Sequence, residues 1–371
     1  MIAGETSGDL HGSGVVRELR RLVPGVAVYG IGGDRMQQEG MECEIHVSRL
    51  SFMGFVEVVK NLGVVREAQR RMETLLDERR PDVLVLIDYP GFNLRFAARA
   101  KARGIKVLYY ISPQVWAWHR SRVNTMRGMI DRMKVVFPFE VEIYREAGID
   151  VEFVGHPLAE SIGSTLDRSA FLRRHAFRED GKLLALIPGS RKQEIERIFP
   201  TMLETAALLR RETGVQIGAS VAPHIERRML ENLVPRDLPV TLIEEDTYNL
   251  MHHADAAIVT SGTATLETGW FGTPMAVVYR ASPVTYAIGR MLVKVNAIGL
   301  VNIVAGEQVV PEFVQRHMTA SRLVPEMLRM LTDAAYAGSV RSRLGVIRNR
   351  LGAPGASLKV ARGIVELAEA G

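Results

Sequence analysis

Two doubly wound, Rossmann-like α/β domains with a helical C-terminal tail are what this sequence predicts. Three observations carry the prediction. At 371 residues the chain exceeds what one hydrophobic core usually serves. Short apolar runs without internal charges alternate with amphipathic stretches, the pattern of parallel strands covered by helices on both faces. The alternation stops once, near the middle of the chain, and then begins again.

Taken in order, the first strand has only Met1–Ala3 to draw on before the glycine-rich Gly4-Glu5-Thr6-Ser7-Gly8-Asp9. Either that strand is stunted or the natural start lies upstream. Val26–Gly30, Val83–Asp88, Lys106–Ile111, Lys134–Phe137 and Val151–Val154 follow as strands. His156–Gly181 holds Pro157, Gly163 and several Ser and Thr residues without an apolar run, and reads as the interdomain connection. A second series comprises Leu183–Ile187, Gln216–Val221, Pro239–Ile243, Ala256–Thr260 and Met275–Tyr279. Arg66–Arg80 and Arg191–Thr213 have helical periodicity, and repeated βα units imply right-handed crossovers. The expected boundaries are a domain over 1–160, a linker over 161–181, a domain over 182–335 and helices over 336–371. The last segment has no strand of its own, so it packs back across the domains or exchanges with a second copy.

Composition excludes some classes. Hydrophobic residues make up 47% and charged residues 24%, ordinary for a globular protein. No run approaches the roughly 18 apolar residues of a membrane span, and no basic-then-apolar leader opens the chain. Cys43 stands alone, so no internal disulfide forms, which fits a reducing cytoplasm. A net charge of +5 suits anionic partners or simply a solvated basic surface. No HExxH, cysteine pair or acidic DxD at a strand end marks a metal site, and His252-His253 would diverge on a helix. Gly4–Asp9 with Gly12 and Gly14 has the wrong spacing for a dinucleotide fingerprint, so neither a metal nor a cofactor is expected.

In open parallel sheets ligands bind beyond the carboxyl ends of the strands. Pro188-Gly189-Ser190-Arg191 is a strand, a glycine turn and a helix start, which aims free N–H groups at one spot beside a guanidinium. Thr260-Ser261-Gly262-Thr263 repeats the arrangement, with Glu267 one turn into the helix where it can accept both hydroxyls of a ribose. Each is also readable as a plain helix cap, but two such turns can share one diphosphate. Asp88, ending an apolar strand before Tyr89-Pro90-Gly91-Phe92-Asn93, is either a general base with a raised pKa or a turn residue. Ser112-Pro113-Gln114-Val115-Trp116-Ala117-Trp118 offers a sugar-stacking platform or a packed loop, and His119 is an ordinary surface histidine. Leu50–Val65, with Phe52 and Phe55 among its apolar residues and Lys60, Arg66, Arg70 and Arg71 around it, reads as an interfacial helix or a core helix.

With those residues in view the chain resembles the lipid-A-disaccharide synthase family from end to end. The matching segments are Ala3–Asp9, Met53–Val58, Asp88–Asn93, Ser112–Trp118, Phe153–Pro157, Pro188–Arg191, Ser261–Glu267 and Asn302. The Ser-Pro-x-Val-Trp-Ala-Trp and Asp-x-Pro-x-Phe-Asn pieces are particular to that family, whereas the Pro-Gly-Ser-Arg and Gly-Thr-Ala pieces are shared by many glycosyltransferases of the GT-B fold. Leu300-Val301 stands where the family pattern expects Leu-Pro.

The resemblance implies the GT-B arrangement, two Rossmann-like domains facing each other across a cleft, and an inverting, metal-independent transfer. UDP-2,3-diacylglucosamine gives its sugar to 2,3-diacylglucosamine 1-phosphate (lipid X), yielding the β-1,6-linked disaccharide phosphate and UDP. It implies Asp88 as base, Arg191 and Asn302 on the UDP moiety, Glu267 on its ribose, and substrate contacts from Ser7, Ser190, Gly262, Thr263, Trp116, Trp118, Phe52 and Phe55. It further implies a peripheral enzyme at the cytoplasmic face of a Gram-negative inner membrane, and a homodimer exchanging C-terminal elements. The competing readings are a UDP-N-acetylglucosamine 2-epimerase on the same scaffold and a non-catalytic nucleic-acid-binding protein. The tryptophan segment speaks against the first. The absence of zinc-finger spacing and of interleaved aromatic and basic motifs speaks against the second, so no nucleic-acid partner is expected.

Overall fold

The structure, a computed structural model, describes residues 1–50, 62–116, 122–223, 225–281 and 297–370. Two compact units emerge: Met1–Glu160 together with Leu351–Gly371, and Ser161–Arg350. Each is built on one all-parallel sheet.

The N-terminal unit contains β1 (Ile2–Ala3), β2 (Tyr29–Gly32), β3 (Glu42–His46), β4 (Val83–Ile87), β5 (Lys106–Tyr110), β6 (Arg132–Val135) and β7 (Val151–Phe153). Their order in the sheet is β3-β2-β1-β4-β5-β6-β7. The C-terminal unit contains β8 (Leu183–Ile187), β9 (Gln216–Ser220), β10 (Thr241–Ile243), β11 (Ala256–Thr260), β12 (Met275–Tyr279) and β13 (Glu312–Val314), in the order β10-β9-β8-β11-β12-β13. Both sheets are therefore wound outward from the first strand in one direction and from the fourth in the other. The crevice such a reversal opens lies beyond β1 and β4 in one unit and beyond β8 and β11 in the other.

The central strands are buried on both faces, which is why they carry no polar alternation: every residue of β8 and β11 is buried. In the C-terminal unit the helix Lys192–Thr213 lays Ile195, Ile198, Phe199, Met202 and Leu209 onto the sheet at helical spacing. It stops at Gly214, whose φ of 70° supplies the left-handed residue that closes helices.

Three expectations are corrected. Residues 161–181 are not a bare linker: they include the helix Arg168–Arg174, which buries Phe171 and Leu172. Asn249 pins this stretch by accepting hydrogen bonds from Ser164 Oγ (2.6 Å) and the N–H groups of Thr165 (3.0 Å) and Leu166 (3.1 Å). The strand expected at Val26–Gly30 runs instead over Tyr29–Gly32, and that expected at Lys134–Phe137 begins two residues earlier.

The tail, expected as one piece over 336–371, divides. Helices Ala320–Thr332 and Ala334–Leu344 belong to the C-terminal unit, whereas the last helix, Ala356–Glu369, lies on helix Thr6–Leu22 and beneath β4, β5 and β6 of the N-terminal unit. Gly363 permits the approach, since a Cβ there would meet Lys134 Nζ at 2.6 Å. Glu160 fixes the start of this helix. Its carboxylate accepts from the N–H groups of Gly355 (3.0 Å) and Ser357 (2.9 Å) and from Ser357 Oγ (2.6 Å), satisfying donors that a helix start leaves open. Replacing Glu160 by Ala should lower the unfolding free energy by about 1–2 kcal/mol, the usual worth of a lost cap, with the loss read from the urea midpoint.

Candidate active site

In the N-terminal unit the switch-point crevice is lined by the loop after β1 and the turn after β4, because β1 pairs with β4 (Ala3 opposite Ile87). Gly4 must be glycine here: a Cβ would lie 2.2 Å from the Tyr89 ring. Ser7 is exposed in the first turn of helix Thr6–Leu22. Asp9, two residues on, has a different task. Its buried carboxylate accepts the N–H groups of Gly33 (2.7 Å), Arg35 (3.2 Å) and Met36 (3.1 Å) and so caps helix Asp34–Gln38.

Asp88 leaves β4 in a left-handed conformation (φ 48°), and Tyr89 continues it (φ 47°). Two consecutive non-glycine residues in that region are strained, and the surroundings hold them there. The Asp88 carbonyl accepts from Tyr109 Oη (2.5 Å) and Asn93 Nδ2 (2.7 Å), while its N–H donates to the Tyr110 carbonyl (3.0 Å). Asn93 Nδ2 also donates to the Ile87 carbonyl (3.2 Å). Burial, followed by the charge of Glu5, pushes the Asp88 carboxyl up to about 6 against a backbone hydrogen bond from Tyr89. An acid with that pKa is ionised at neutral pH yet basic enough to take a proton.

Next to Asp88, beyond β5, runs the tryptophan segment. Trp116 is half-buried, its indole N–H donates to Glu140 (3.2 Å), and its ring meets Phe139 edge-on at 5.4 Å. Trp118 and His119 lie outside the described residues, as do Phe52, Phe55 and most of Leu50–Val65.

In the C-terminal unit β8 and β11 are hydrogen-bonded neighbours with Ile187 opposite Val259, so the corners that follow them stand side by side. Gly189 (φ 97°) and Gly262 (φ 149°) adopt backbone angles that side chains resist. Gly189 packs on Thr260, where a Cβ would lie 3.5 Å from its methyl group. Ser190, Arg191 and Thr263 are exposed at these corners, at the starts of helices Lys192–Thr213 and Thr263–Trp270. Arg191 reaches Glu194 at 2.8 Å. Gly262 itself is the cap of the second helix and contributes no side chain, so no side chain of the cap residue takes up the first-turn N–H groups.

Glu267 sits one turn in, hydrogen-bonded to Tyr248 Oη (3.2 Å), and burial raises its carboxyl above the ordinary glutamate range. Tyr248 was not legible as a site residue, because only folding brings helix Thr247–His253 to Glu267. Glu5 was legible only as part of a glycine-rich turn.

Asn302, expected on the UDP moiety, has a structural task in the loop before β13. It is 2% exposed, and its amide is fully used. Nδ2 donates to the Val310 carbonyl (2.8 Å) and Glu312 Oε1 (2.8 Å), and Oδ1 accepts from the N–H groups of Val309 (2.8 Å) and Val310 (3.0 Å). Its side-chain amide thus braces the loop leading into β13. Its segment, Leu300–Ala305, is helical despite the Leu300-Val301 departure.

Among the described residues no three His, Cys, Asp or Glu side chains cluster as metal ligands, and no helix is long and apolar enough to cross a membrane. Twin Rossmann-like sheets, each with a crevice at its switch point and one with two adjacent glycine corners, have the architecture of the GT-B class. Sequence comparison gives the family. The family model described as lipid-A-disaccharide synthetase matches residues 1–344. The lipid-A-disaccharide synthase of Geobacter sulfurreducens is 43% identical over 369 residues, covering 99% of this chain and 96% of that protein. That of Myxococcus xanthus is 38% identical over 369 residues, covering 99% and 96%. The chain belongs to the lipid-A-disaccharide synthase family and is a glycosyltransferase.

Solved structures agree on the fold. UDP-GlcNAc 2-epimerase from Neisseria meningitidis bound to UDP-GlcNAc superposes with a TM-score of 0.65 at 12% identity, covering 98% of each chain. The calicheamicin glycosyltransferase CalG4 gives 0.60 at 16% identity, covering 96% of this chain and 95% of that one. Epimerases and glycosyltransferases thus share the scaffold, and the sequence relatives separate them.

Substituting Asn302 by Ala removes its hydrogen bonds inside a buried loop, and should cost about 2–3 kcal/mol of stability, seen as an earlier urea transition. Unchanged stability together with weakened UDP binding would instead make it a nucleotide contact.

Proposed function

We propose that the enzyme transfers the diacylglucosamine of UDP-2,3-diacylglucosamine to the 6-hydroxyl of lipid X with inversion, releasing UDP and the β-1,6-linked disaccharide phosphate. The observation that carries the division of labour is the pairing of β8 with β11, which sets two glycine corners and two helix starts side by side. In this reading the C-terminal unit holds the donor. Backbone N–H groups after Gly189 and Gly262, the hydroxyls of Ser190 and Thr263, and Arg191 meet the diphosphate, and Glu267 takes the ribose.

The N-terminal unit holds the acceptor, with Ser7 and Trp116 at its rim and Asp88 accepting the proton of the attacking hydroxyl. As the glycosidic bond to UDP breaks, negative charge grows on the β-phosphate, where fixed donors lower the barrier most. No metal enters this account. The segment 50–65, with Phe52 and Phe55, and Trp118 complete the acyl-chain and acceptor contacts, and its basic flank meets anionic lipid at the cytoplasmic face of the inner membrane. A homodimer formed through C-terminal elements and the absence of a nucleic-acid partner belong to the same reading.

The direct test supplies defined donor and acceptor lipids and identifies the product by mass spectrometry. UDP should appear only with lipid X present; release without any acceptor would favour epimerase-type chemistry. Asp88→Asn should lower turnover by about 10²–10⁴. Since the base must be ionised, kcat/KM should rise with pH through an inflection near 6. Glu5→Gln removes the neighbouring charge that raises this pKa, and should move the inflection to lower pH. An inflection that stays in place would separate Glu5 from the base. Arg191→Ala should reduce kcat by about 10²–10³ with an unchanged melting curve, and a collapsed melt with intact specific activity would contradict the role.

A further inference from the structure

Glu140 is 1% exposed and lies where β6 turns into helix Glu140–Glu146, after the aromatic run Phe137-Pro138-Phe139. Its carboxylate collects donors from two elements. Oε1 accepts from Ser112 Oγ (2.8 Å) and Trp116 Nε1 (3.2 Å), and Oε2 accepts from the Phe137 N–H (3.1 Å). The same helix holds the tryptophan segment at a second point, since Tyr144 Oη donates to the Pro113 carbonyl (2.9 Å). Around Trp116 the rings form a column. Phe139 meets it edge-on, Phe137 stacks on Phe139 at 5.4 Å, and His156 packs on Phe137 at 5.2 Å.

A buried carboxyl costs free energy that an apolar side chain would not. What it provides here is an acceptor for the indole N–H, which sets the indole's angle on the rim one strand from Asp88 (β5 pairs with β4). We propose that Glu140 is a positioning residue that holds Trp116 as the wall against which the acceptor sugar is seated. The inference rests on the reading that the N-terminal unit takes the acceptor.

Protonation bears on this lock. Burial lifts the Glu140 carboxyl to about 7, against the pull of its donors. Its partners Ser112, Trp116 and Phe137 all donate, so protonation removes the charge that strengthens these bonds, and the hold on the indole loosens as pH falls through that value. Of the other titratable groups on this rim, Asp88 lies one strand away with its carboxyl pushed up to about 6, below the Glu140 value. Burial holds Tyr144 above its ordinary pKa and His156 at about 3, both away from this range.

The test has two arms. The chain has three tryptophans, so Trp118→Phe with Trp270→Phe leaves Trp116 as the sole reporter. Its fluorescence should titrate with a midpoint near 7, and Glu140→Gln in that background should abolish the titration. In the protein with all its tryptophans, Glu140→Leu should raise the acceptor KM about tenfold with donor KM and kcat little changed, while the donors left without an acceptor lower the melting temperature. Glu140→Gln keeps an oxygen for the indole and should restore most of that loss. Trp116→Phe should give a similar rise, and Glu140→Leu should add little to it. A titration that survives Glu140→Gln, or effects that multiply in the double variant, would overturn the proposal. An abolished titration with an unmoved acceptor KM would also overturn it, by removing the acceptor from this rim. The fluorescence arm needs no substrate, so failure of the transfer reaction itself would be seen separately.

Discussion

The structure depends on one constraint of chain topology: in each sheet the first and fourth strands are neighbours and run parallel. Successive strands then turn away from each other, so no crossover helix covers the crevice beyond that pair. Side by side at its mouth lie the segments that leave the two strands. In the C-terminal unit they are the corners at Gly189 and Gly262, in the N-terminal unit the loop at Gly4 and the turn at Asp88. The same arrangement thus generates two sites of opposite character. One is lined by helix starts, hydroxyls and a guanidinium, the other by carboxyls and aromatic rings.

The second site carries a cost in backbone and burial. Asp88 and Tyr89 stay left-handed because Tyr109 and Asn93 donate to the Asp88 carbonyl and the ladder takes its N–H. Glu140 and Asp88 both have their pKa values lifted chiefly by desolvation, yet their surroundings differ. Asp88 is next to another acid and half-open, the setting of a group that exchanges a proton. Glu140 is enclosed by donors, the setting of a group that holds something still.

Much of this was legible in the sequence. The central strands could be read because burial on both faces leaves continuous apolar runs such as Leu183–Ile187 and Ala256–Thr260. The corners could be read because Gly before Ser or Thr at a strand end has a backbone reason. The edge strands β3 and β13, partly exposed and containing charged residues, lacked that signal. The helix in 168–174 was hidden because only Phe171 and Leu172 mark its apolar side. No local pattern says that Ala356–Glu369 returns to the N-terminal unit, since that depends on Gly363 meeting Lys134 and on Glu160. Asn302 illustrates a second kind of hidden role: the family motif marked it for the ligand, and only the fold shows that its amide also holds a loop.

The central claim is that backbone donors at two adjacent glycine corners bind the diphosphate, and calorimetric titration of UDP, UMP and uridine tests it most directly. Affinity should fall from UDP to UMP to uridine, and Gly262→Val, which forbids the native backbone angle, should weaken UDP while leaving uridine nearly as before. Equal affinity for UDP and uridine, or a Gly262→Val protein that binds UDP normally, would contradict the account.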